Sequence, residues 1–266
     1  MKKQRVGNKL YWNIFLGLVV VLIIIYGINI FATGSLLSPL KGATEKQRPT
    51  NLYLTLITNN CTNCFDMNSV VSFIKKQNVK VLQERNLTSS DKEAQDIIIK
   101  QNISSLPTLV ITGETLHGNM TSIWRGLGAQ PVNGVVVIGG FPPYYSLDKQ
   151  KVVGVVQVIM LNDSSCAGCY NVETHLQILS RFGVFINKSV TYDILSNNGK
   201  DLLQKYNITK IPTIILSSDA SVYSALNQVW TQVGTTEKDG YYVFRDTGQM
   251  GTYKDLSQSK VINATG

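Results

Sequence analysis

Apolar and polar residues divide this chain into two zones. Residues 10–31, LYWNIFLGLVVVLIIIYGINIF, contain no charged side chain. After residue 50, short apolar runs such as NLYLTLIT and VVGVVQVIML alternate with stretches such as CFDMNSVVSFIKKQ and CYNVETHLQILSRF, in which apolar residues recur at helical spacing. Buried strands that alternate with helices of about 10 to 15 residues are typical of an α/β fold with partly parallel strands.

The first apolar segment is long enough to span a membrane. Roughly 20 apolar residues cross a hydrocarbon core of about 30 Å, and aromatic residues lie near both ends of this segment. We predict a transmembrane signal-anchor helix over residues 10–32, a cytoplasmic basic tail over residues 1–9 and an extracytoplasmic remainder. A cleaved signal peptide is the alternative, although the apolar run is longer than a usual signal core. Residues 33–50 have the composition of a linker.

Eight Asn-x-Ser/Thr triplets follow the predicted anchor and favour an exported glycoprotein. Seven are candidate glycosylation sites, beginning at Asn86, Asn102, Asn119, Asn162, Asn187, Asn207 and Asn263. The eighth, at Asn60, overlaps Cys61, where a glycan would crowd the cysteine. A general richness in Asn, Ser and Thr is the alternative explanation. The predicted location is the cell membrane, with one span and the domains outside.

Length and charge narrow the function further. A chain of 266 residues with 44% apolar residues can form two domains, each with its own core. The net charge is +8, but four of the positive side chains precede the first apolar segment. Because no later cluster of Lys and Arg is interleaved with aromatic residues, we expect no nucleic-acid partner.

An internal repeat organises the rest of the chain. Adding 105 to a residue number relates these pairs without a gap: Leu56 and Leu161, Cys61 and Cys166, Cys64 and Cys169, Asn102 and Asn207, Pro107 and Pro212. Further on, the offset becomes 106 at Trp124 and Trp230, and 109 at Tyr144 and Tyr253. The sequence therefore predicts a duplicated unit, with domains over residues 51–148 and 149–266.

Each Cys-x-x-Cys pair follows a predicted strand and opens a predicted helix. The N-terminus of a helix presents free N–H groups and a positive dipole end, which stabilise a thiolate and lower its pKa. Cys61 and Cys166 are therefore the predicted nucleophiles. One turn further on, Cys64 and Cys169 lie within bonding distance and can resolve a mixed disulfide.

Pro107 and Pro212 each lie 46 residues after the first cysteine of their pair, near the start of a predicted strand. A proline in this position is often a cis-proline in a tight turn. With these residues the sequence resembles the thioredoxin superfamily, and the tandem units resemble archaeal protein disulfide oxidoreductases and protein disulfide isomerase. The resemblance implies two thioredoxin-like domains, each a central β-sheet flanked by helices.

The resemblance also implies a mechanism. Cys61 and Cys166 would attack, and Cys61–Cys64 and Cys166–Cys169 would be the catalytic disulfides. The residues implied to hold the backbone of a substrate strand are Leu106, Pro107, Ile211 and Pro212. No bound cofactor and no metal are expected. The implied partners are exported, cysteine-containing client proteins and a membrane redox partner that recharges the sites.

The sequence departs from thioredoxin at several positions. Asn60 and Ser165 stand where thioredoxin has Trp, and neither Thr62-Asn63 nor Ala167-Gly168 matches its Gly-Pro. The last part of each unit has no match in thioredoxin. We predict that the repeated Trp124 and Trp230 in this part are core residues, and that Gly134 and Gly240 form turns.

Three alternatives to catalysis remain open. The disulfides could be permanent, although a Cys-x-x-Cys loop is so short that it stabilises little. All four cysteines could form one zinc site. Copper handling would call for a nearby His or Met, but His117 has no counterpart in the second half. His175 and Met67 form no repeated ligand set and are expected to be face or core residues. The competing function is a binding module whose disulfides are fixed.

Overall fold

The computed structural model describes residues 48–263 of the chain. The predicted cytoplasmic tail, the transmembrane helix and nearly all of the linker lie outside these residues. Within residues 48–263 the longest helix has ten residues, and no helix is long and apolar enough to span a membrane. From Pro49 onward the chain forms one compact unit.

The first half of this unit contains seven strands and three helices. In chain order they are β1 (Thr50–Thr58), α1 (Asn68–Lys75), β2 (Val79–Thr88), α2 (Lys92–Lys100), β3 (Ser105–Leu106), β4 (Thr108–Gly113), α3 (Met120–Gly126), β5 (Val136–Gly139), β6 (Tyr144–Ser146) and β7 (Lys151–Val153). The main sheet has the order β2-β1-β4-β5, with β1 and β2 parallel and the other pairs antiparallel. The α/β fold predicted from the alternating pattern is present.

The second half repeats this arrangement with additions. Its elements are β8 (Val156–Asn162), α4 (Thr174–Arg181), β9 (Ile186–Asp193), α5 (Asn197–Lys205), β10 (Lys210–Ile211), β11 (Thr213–Leu216), a 3-10 helix (Ser218–Val222), α6 (Ser224–Val233), β12 (Gly234–Thr236), β13 (Tyr242–Phe244), a second 3-10 helix (Thr247–Gln249), β14 (Tyr253–Asp255) and β15 (Lys260–Ile262). The sheet order is β12-β13-β11-β8-β9. The predicted domain boundary at residues 148 and 149 falls in the turn between β6 and β7.

Each main sheet carries helices on both faces. In the first half, α1 and α3 pack on one face around Leu54, Ile74 and Trp124, and α2 packs on the other face around Ile57 and Ala94. In the second half, α4 and α6 share one core cluster, and residues beside α5 form the other. Because apolar side chains of β1 and β8 project to both faces, each central strand is buried on both sides.

The strand predicted over LPTLVIT is two strands in the structure. Pro107 separates β3 from β4, and the two strands belong to different sheets: β4 pairs with β1, whereas β3 pairs with β6. Proline lacks the N–H group that a ladder requires, so one strand cannot continue through it. Pro212 separates β10 from β11 in the same way.

The repeat is shifted by one residue in the central strands. Ile57 lies opposite Thr108, whereas Leu161 lies opposite Thr213, so the structure equates Ile57 with Leu161 rather than Leu56 with Leu161. The segment from strand to first cysteine is therefore one residue longer in the second half. The constant offset of 105 between the two halves therefore hides a one-residue insertion just before Cys166.

The repeated asparagines Asn102 and Asn207 have a conformational role. Each follows a helix, α2 or α5, and has a positive φ, 50° and 48° respectively. Asn tolerates this left-handed conformation better than most residues, which suits it to the end of a helix. Backbone geometry therefore accounts for the repetition of these two residues; glycosylation at both stays a prediction.

The repeated tryptophans are core residues, as predicted. The side chain of Trp124 is fully buried, and its Nε1 donates a hydrogen bond to the Thr115 carbonyl at 2.8 Å. Trp230 is also buried and donates to the Thr235 carbonyl at 3.1 Å. Each indole thus fixes a segment next to its helix: the loop before α3 in the first half and strand β12 after α6 in the second.

We expect Trp124→Phe to lower the free energy of unfolding by about 2 to 4 kcal/mol, because it leaves a void and an unpaired buried carbonyl. Urea unfolding with intact disulfides measures this change. The control is Phe73→Leu on α1, where the side chain is 45% exposed, with an expected change of about 0.5 kcal/mol or less. Equal effects of the two substitutions would contradict the packing described here.

Candidate functional site

Both predicted disulfides are formed, and both lie at the surface. Cys61 bonds to Cys64 and Cys166 to Cys169, each with Cα atoms 5.5 Å apart. All four cysteines are partly exposed. Each disulfide lies just beyond the end of a central strand, β1 or β8. We call Cys61–Cys64 with Pro107 the first site, and Cys166–Cys169 with Pro212 the second site.

The prediction that the cysteines open a helix is wrong. Helix α1 begins at Asn68 and α4 at Thr174, several residues after each pair. The carboxylate of Asp66 accepts a hydrogen bond from the Asn68 N–H at 2.9 Å, and the side-chain amide oxygen of Asn171 accepts one from the Glu173 N–H at 3.0 Å. Such turns compete with helical hydrogen bonding and delay the start of each helix.

The cysteines instead lie in tight turns. The N–H of Cys61 donates to the Asn59 carbonyl at 2.8 Å, and that of Cys166 to the Asp163 carbonyl at 3.0 Å. Cys169 N–H donates to the carbonyl of Cys166 at 3.2 Å. The positive end of a helix dipole therefore does not act directly on Cys61 or Cys166, because the effect is confined to the first turn of a helix.

The predicted cis-prolines lie beside the disulfides. The Leu106-Pro107 and Ile211-Pro212 peptide bonds are both cis. Thr108 pairs with Ile57 near the end of β1, so Pro107 lies next in register, beside the segment that leads to Cys61. Thr213 pairs with Leu161 in the same way. The fold thus places each predicted proline next to the segment that leads to its cysteine pair.

A short segment of the chain crosses each site, and sequence reasoning missed it. We call residues 142–146 strap 1 and residues 251–255 strap 2. The residue after the second cysteine donates its N–H to a strap: Phe65 to the Pro143 carbonyl at 2.7 Å, and Tyr170 to the Thr252 carbonyl at 2.9 Å. Each strap then enters a hairpin, β6–β7 or β14–β15.

The straps also pair with the residues that precede the cis-prolines. Leu106 pairs with Tyr145, and Ile211 pairs with Lys254. Leu147 N–H donates to the Ser104 carbonyl at 2.9 Å, so alternation along an antiparallel pair makes Leu106 and Tyr145 a hydrogen-bonded pair. The backbone position predicted to hold a substrate strand is therefore occupied by the chain itself.

A groove borders the first site. It has a volume of about 530 Å³ and is lined by Cys64, Phe65, Pro142 and Pro143 of the first half. Residues 183–185 of the second half complete the wall, and the Phe185 side chain is 38% exposed. The first disulfide is thus reached through a mainly apolar opening formed by both halves.

The second site contains an ion pair between a buried carboxylate and a lysine whose side chain is 24% exposed. Asp163 is 2% exposed, and its carboxylate accepts hydrogen bonds from Lys254 Nζ at 2.5 Å and from Ser165 Oγ at 2.6 Å. Burial alone would raise the pKa of Asp163, but the hydrogen bonds from Lys254 and Ser165 outweigh it and hold the pKa below its usual value. A charged pair therefore lies under the turn that carries Cys166.

A buried polar network also adjoins the second disulfide. Tyr170 Oη lies 2.6 Å from the Pro212 carbonyl oxygen and 3.0 Å from His175 Nε2. His175 is 3% exposed, and desolvation lowers its pKa to about 4. Desolvation likewise raises the pKa of Tyr170 well above its usual value. Both side chains are therefore neutral near neutral pH.

The first site lacks this chemistry at the corresponding positions. The shifted register places Asn59 where the second half has Asp163, and the buried Asn59 Oδ1 has no hydrogen-bond partner among the described residues. With the repeat offset of 109, Tyr145 of the first half corresponds to Lys254 of the second half. Phe65 replaces Tyr170 and Val70 replaces His175. The two sites thus share a backbone design and differ in the groups beneath it.

The four cysteines do not form one cluster. They are divided between two separate disulfides, and residues 48–263 include no group of three or more Cys, His, Asp or Glu side chains that could hold a metal ion. His175 is a core residue, as expected from the sequence, and so is Met67. His117 Nδ1 lies 3.1 Å from Thr50 Oγ1, apart from both disulfides in sequence and structure.

No protein-family model matches the chain, and no curated protein matches it. Among solved structures, the chain is similar to the NTD_N/C domain of alkylhydroperoxide reductase AhpF from Enterococcus faecalis, with 11% identity, a TM-score of 0.20 and coverage of 65% of this chain and 84% of that one. A protein disulfide oxidoreductase from Aeropyrum pernix K1 gives 12% identity, a TM-score of 0.18 and coverage of 65% and 78%. ERdj5 form I gives 10% identity and a TM-score of 0.18, with coverage of 73% of this chain and 27% of that one.

With TM-scores of 0.20 or less, these similarities establish neither the fold nor the function of this chain. What defines the class of protein is present in the chain itself: two α/β halves, each with an accessible Cys-x-x-Cys disulfide beside a cis-proline. These are the features by which the sequence resembles the thioredoxin superfamily.

Removal of the Lys254 charge tests the buried ion pair. We expect Lys254→Met to lower the free energy of unfolding by about 3 kcal/mol at pH 7, because the Asp163 carboxylate is left buried without its cation. Urea unfolding measures the change. The control is Lys75→Met, which breaks the exposed pair with Glu84 and should cost less than about 1 kcal/mol. A cost at Lys254 no larger than the cost at Lys75 would contradict a buried pair.

His175 predicts a pH dependence of stability. Its pKa is about 4 in the folded chain and about 6.5 in the unfolded chain, so between these values the unfolded state binds more protons. Above about pH 6.5, the titration of His175 adds no pH dependence to the free energy of unfolding. As the pH drops from there toward 4, the free energy of unfolding falls. Between pH 7 and pH 4.5 we expect a loss of about 2 to 3 kcal/mol that is missing in His175→Gln. Urea unfolding of both proteins at the two pH values gives this difference; identical losses would contradict it.

Proposed function

We propose that this chain is a membrane-anchored, extracytoplasmic thiol–disulfide oxidoreductase that makes, breaks or reshuffles disulfides in exported proteins. The observation that carries the proposal is the repetition, in both halves, of a partly exposed disulfide beside a cis-proline. A disulfide that closes so short a loop removes little chain entropy, so stabilisation alone is a poor reason to keep two of them. Reversible opening of the disulfides is a better reason to keep both of them.

The proposed reaction balances without a cofactor. In the reduced site, the thiolate of Cys61 or Cys166 attacks one sulfur of a client disulfide, the client S–S bond breaks, and its other sulfur leaves as a thiolate. Cys64 or Cys169, after losing its proton to solvent, then attacks the mixed disulfide and releases the second client thiolate. The client gains two electrons and the site becomes oxidised. The reverse sequence oxidises a client and leaves the site reduced. In either direction, a membrane redox partner returns the site to its starting oxidation state.

The straps set a condition on this reaction. A client strand can pair with the backbone of Leu106 or Ile211, beside Pro107 or Pro212, only when the strap has moved away. At the first site, the groove beside Cys64 can hold an apolar side chain of a client next to the disulfide with strap 1 in place. We propose that clients dock in this groove and present their disulfide to Cys61, which is itself partly exposed.

The straps also favour a second candidate function. In a binding module, the same two halves would hold a partner while both disulfides stay closed, and straps that occupy the pairing edge agree with that use. The reduction potentials separate the two functions. A disulfide with a reduction potential below about −300 mV resists reduction by glutathione, so such values at both sites would contradict the catalytic proposal.

Trapping of clients tests the catalytic proposal directly. In Cys64→Ser and Cys169→Ser proteins, the mixed disulfide cannot be resolved, so adducts with cysteine-containing clients should accumulate several-fold above the level in the unaltered protein. The adducts are measured on non-reducing gels after acid quenching of membranes that contain the full chain, and are identified after reduction.

The matched controls are Cys61→Ser with Cys64→Ser, and Cys166→Ser with Cys169→Ser, which remove the nucleophile as well. They should leave no adduct at the altered site. Adducts that persist at the same level in a double variant would show that they do not form at the altered site, and adducts that accumulate in Cys61→Ser or Cys166→Ser alone would show that the predicted nucleophiles are wrong. Adducts at neither single variant would favour the binding module.

A further inference from the structure

We propose that Tyr170 and His175 are positioning residues that fix cis-Pro212 relative to the turn that carries Cys166 and Cys169, so that the second site is the more preorganised of the two. The inference rests on the proposed function. It begins with the place of Tyr170, which directly follows Cys169 in the turn between the disulfide and α4.

Tyr170 joins three parts of the second site. Its N–H donates to the Thr252 carbonyl of strap 2 at 2.9 Å, and its hydroxyl contacts the Pro212 carbonyl at 2.6 Å. A peptide bond joins its backbone to Cys169, which holds one sulfur of the disulfide. Strap, cis-proline and disulfide are therefore all linked to this one residue.

The proton inventory fixes the direction of each hydrogen bond. A carbonyl oxygen only accepts, so the single phenolic proton of Tyr170 is donated to Pro212. His175 Nε2 must then donate its own proton to the Tyr170 oxygen across 3.0 Å. His175 is consequently the neutral tautomer that carries the proton on Nε2, which agrees with its lowered pKa of about 4.

Packing holds the imidazole in the orientation that this bond needs. The His175 ring meets the Phe244 ring edge to face, with centroids 4.6 Å apart, and the ring is 3% exposed. A cavity of about 250 Å³ beside it is lined mainly by apolar side chains, Leu226 and Trp230 among them. Because the Nε2 proton is buried, losing its acceptor would be costly.

The first half of the chain is a natural variant without this network. Phe65 and Val70 stand at the positions of Tyr170 and His175, and the Phe65 ring packs on Phe141 at a centroid distance of 5.0 Å. The link from the backbone N–H to the strap is kept in both halves, but the hydroxyl bridge to the cis-proline exists at the second site alone of the two. A reacting site gains rate when such partners are held in place before reaction.

The test uses the full chain in two backgrounds: Cys61→Ser with Cys64→Ser reports the second site alone, and Cys166→Ser with Cys169→Ser the first. The measured quantities are kcat and KM for reduction of a disulfide-bonded model peptide, with excess reduced glutathione present to return the site to its dithiol form after each turnover. We expect Tyr170→Phe to lower kcat/KM roughly tenfold at the second site and less than about twofold at the first.

Two substitutions at His175 test the hydrogen bond itself. His175→Gln keeps an N–H donor, so its rate should stay within about twofold of the unaltered protein. His175→Val reproduces the first-half residue and removes the donor, and it should slow the second site by roughly threefold or more. In solution, ¹⁵N NMR of the unaltered protein should show the His175 proton on Nε2, and Tyr170→Phe should disturb this signal.

Tyr242→Phe is the control for a purely structural effect. Tyr242 also donates from a buried side chain, to Asn227 Oδ1 at 3.1 Å, but it pairs with Leu216 opposite Val158, toward the start of β8 and away from the end that leads to Cys166. It should lower thermal stability and leave both rates unchanged. If Tyr170→Phe behaves like this control, the inference is overturned while the proposed function stands. If the unaltered second site does not react with the peptide, the proposed function fails there, and the inference falls with it.

Discussion

The missing N–H group of proline is the constraint on which both sites depend. Because Pro107 and Pro212 cannot contribute to a β-ladder, one apolar run becomes two strands that serve different sheets. The part after each proline completes the main sheet, and the part before it turns to another partner. That partner is a strap, and the strap is thereby brought across the disulfide at the end of the central strand.

The duplication kept this backbone design and changed the groups beneath it. Asp163 lies in the segment that is one residue longer in the second half, and its cation, Lys254, lies on strap 2. The first half has Asn59 and Tyr145 there. A buried charge pair and a hydroxyl-to-carbonyl bridge therefore distinguish the second site, whereas an apolar groove shared by both halves distinguishes the first. One fold thus presents two chemically different disulfides.

The features that could be predicted from the sequence are those with a local or repeated signal. Alternation of apolar runs predicted the α/β layers, and recurrence of cysteine, proline and tryptophan predicted what lies at the sites and in the core. Helix starts were misplaced because Asp66 and Asn171 form turns that favour a later beginning. The straps were missed because strands of three residues carry no period. The networks were missed because their partners lie far apart, 42 residues from Tyr170 to Pro212 and 91 from Asp163 to Lys254.

The energy of strap displacement decides how closed the sites are. Strap 1 is held over the first site by the hydrogen bond from Phe65 to Pro143 and by pairing of Ser105 and Leu106 with β6. At a net value of about 1 kcal/mol for each backbone hydrogen bond, release costs a few kcal/mol. A client strand that pairs with Leu106 regains the same bonds, so exchange of strap for client is nearly balanced. At the second site, release of strap 2 also breaks the Lys254–Asp163 ion pair, so strap 2 is held more tightly than strap 1. The Tyr170 hydroxyl bonds to Pro212 rather than to the strap, so the cis-proline stays in place when strap 2 moves.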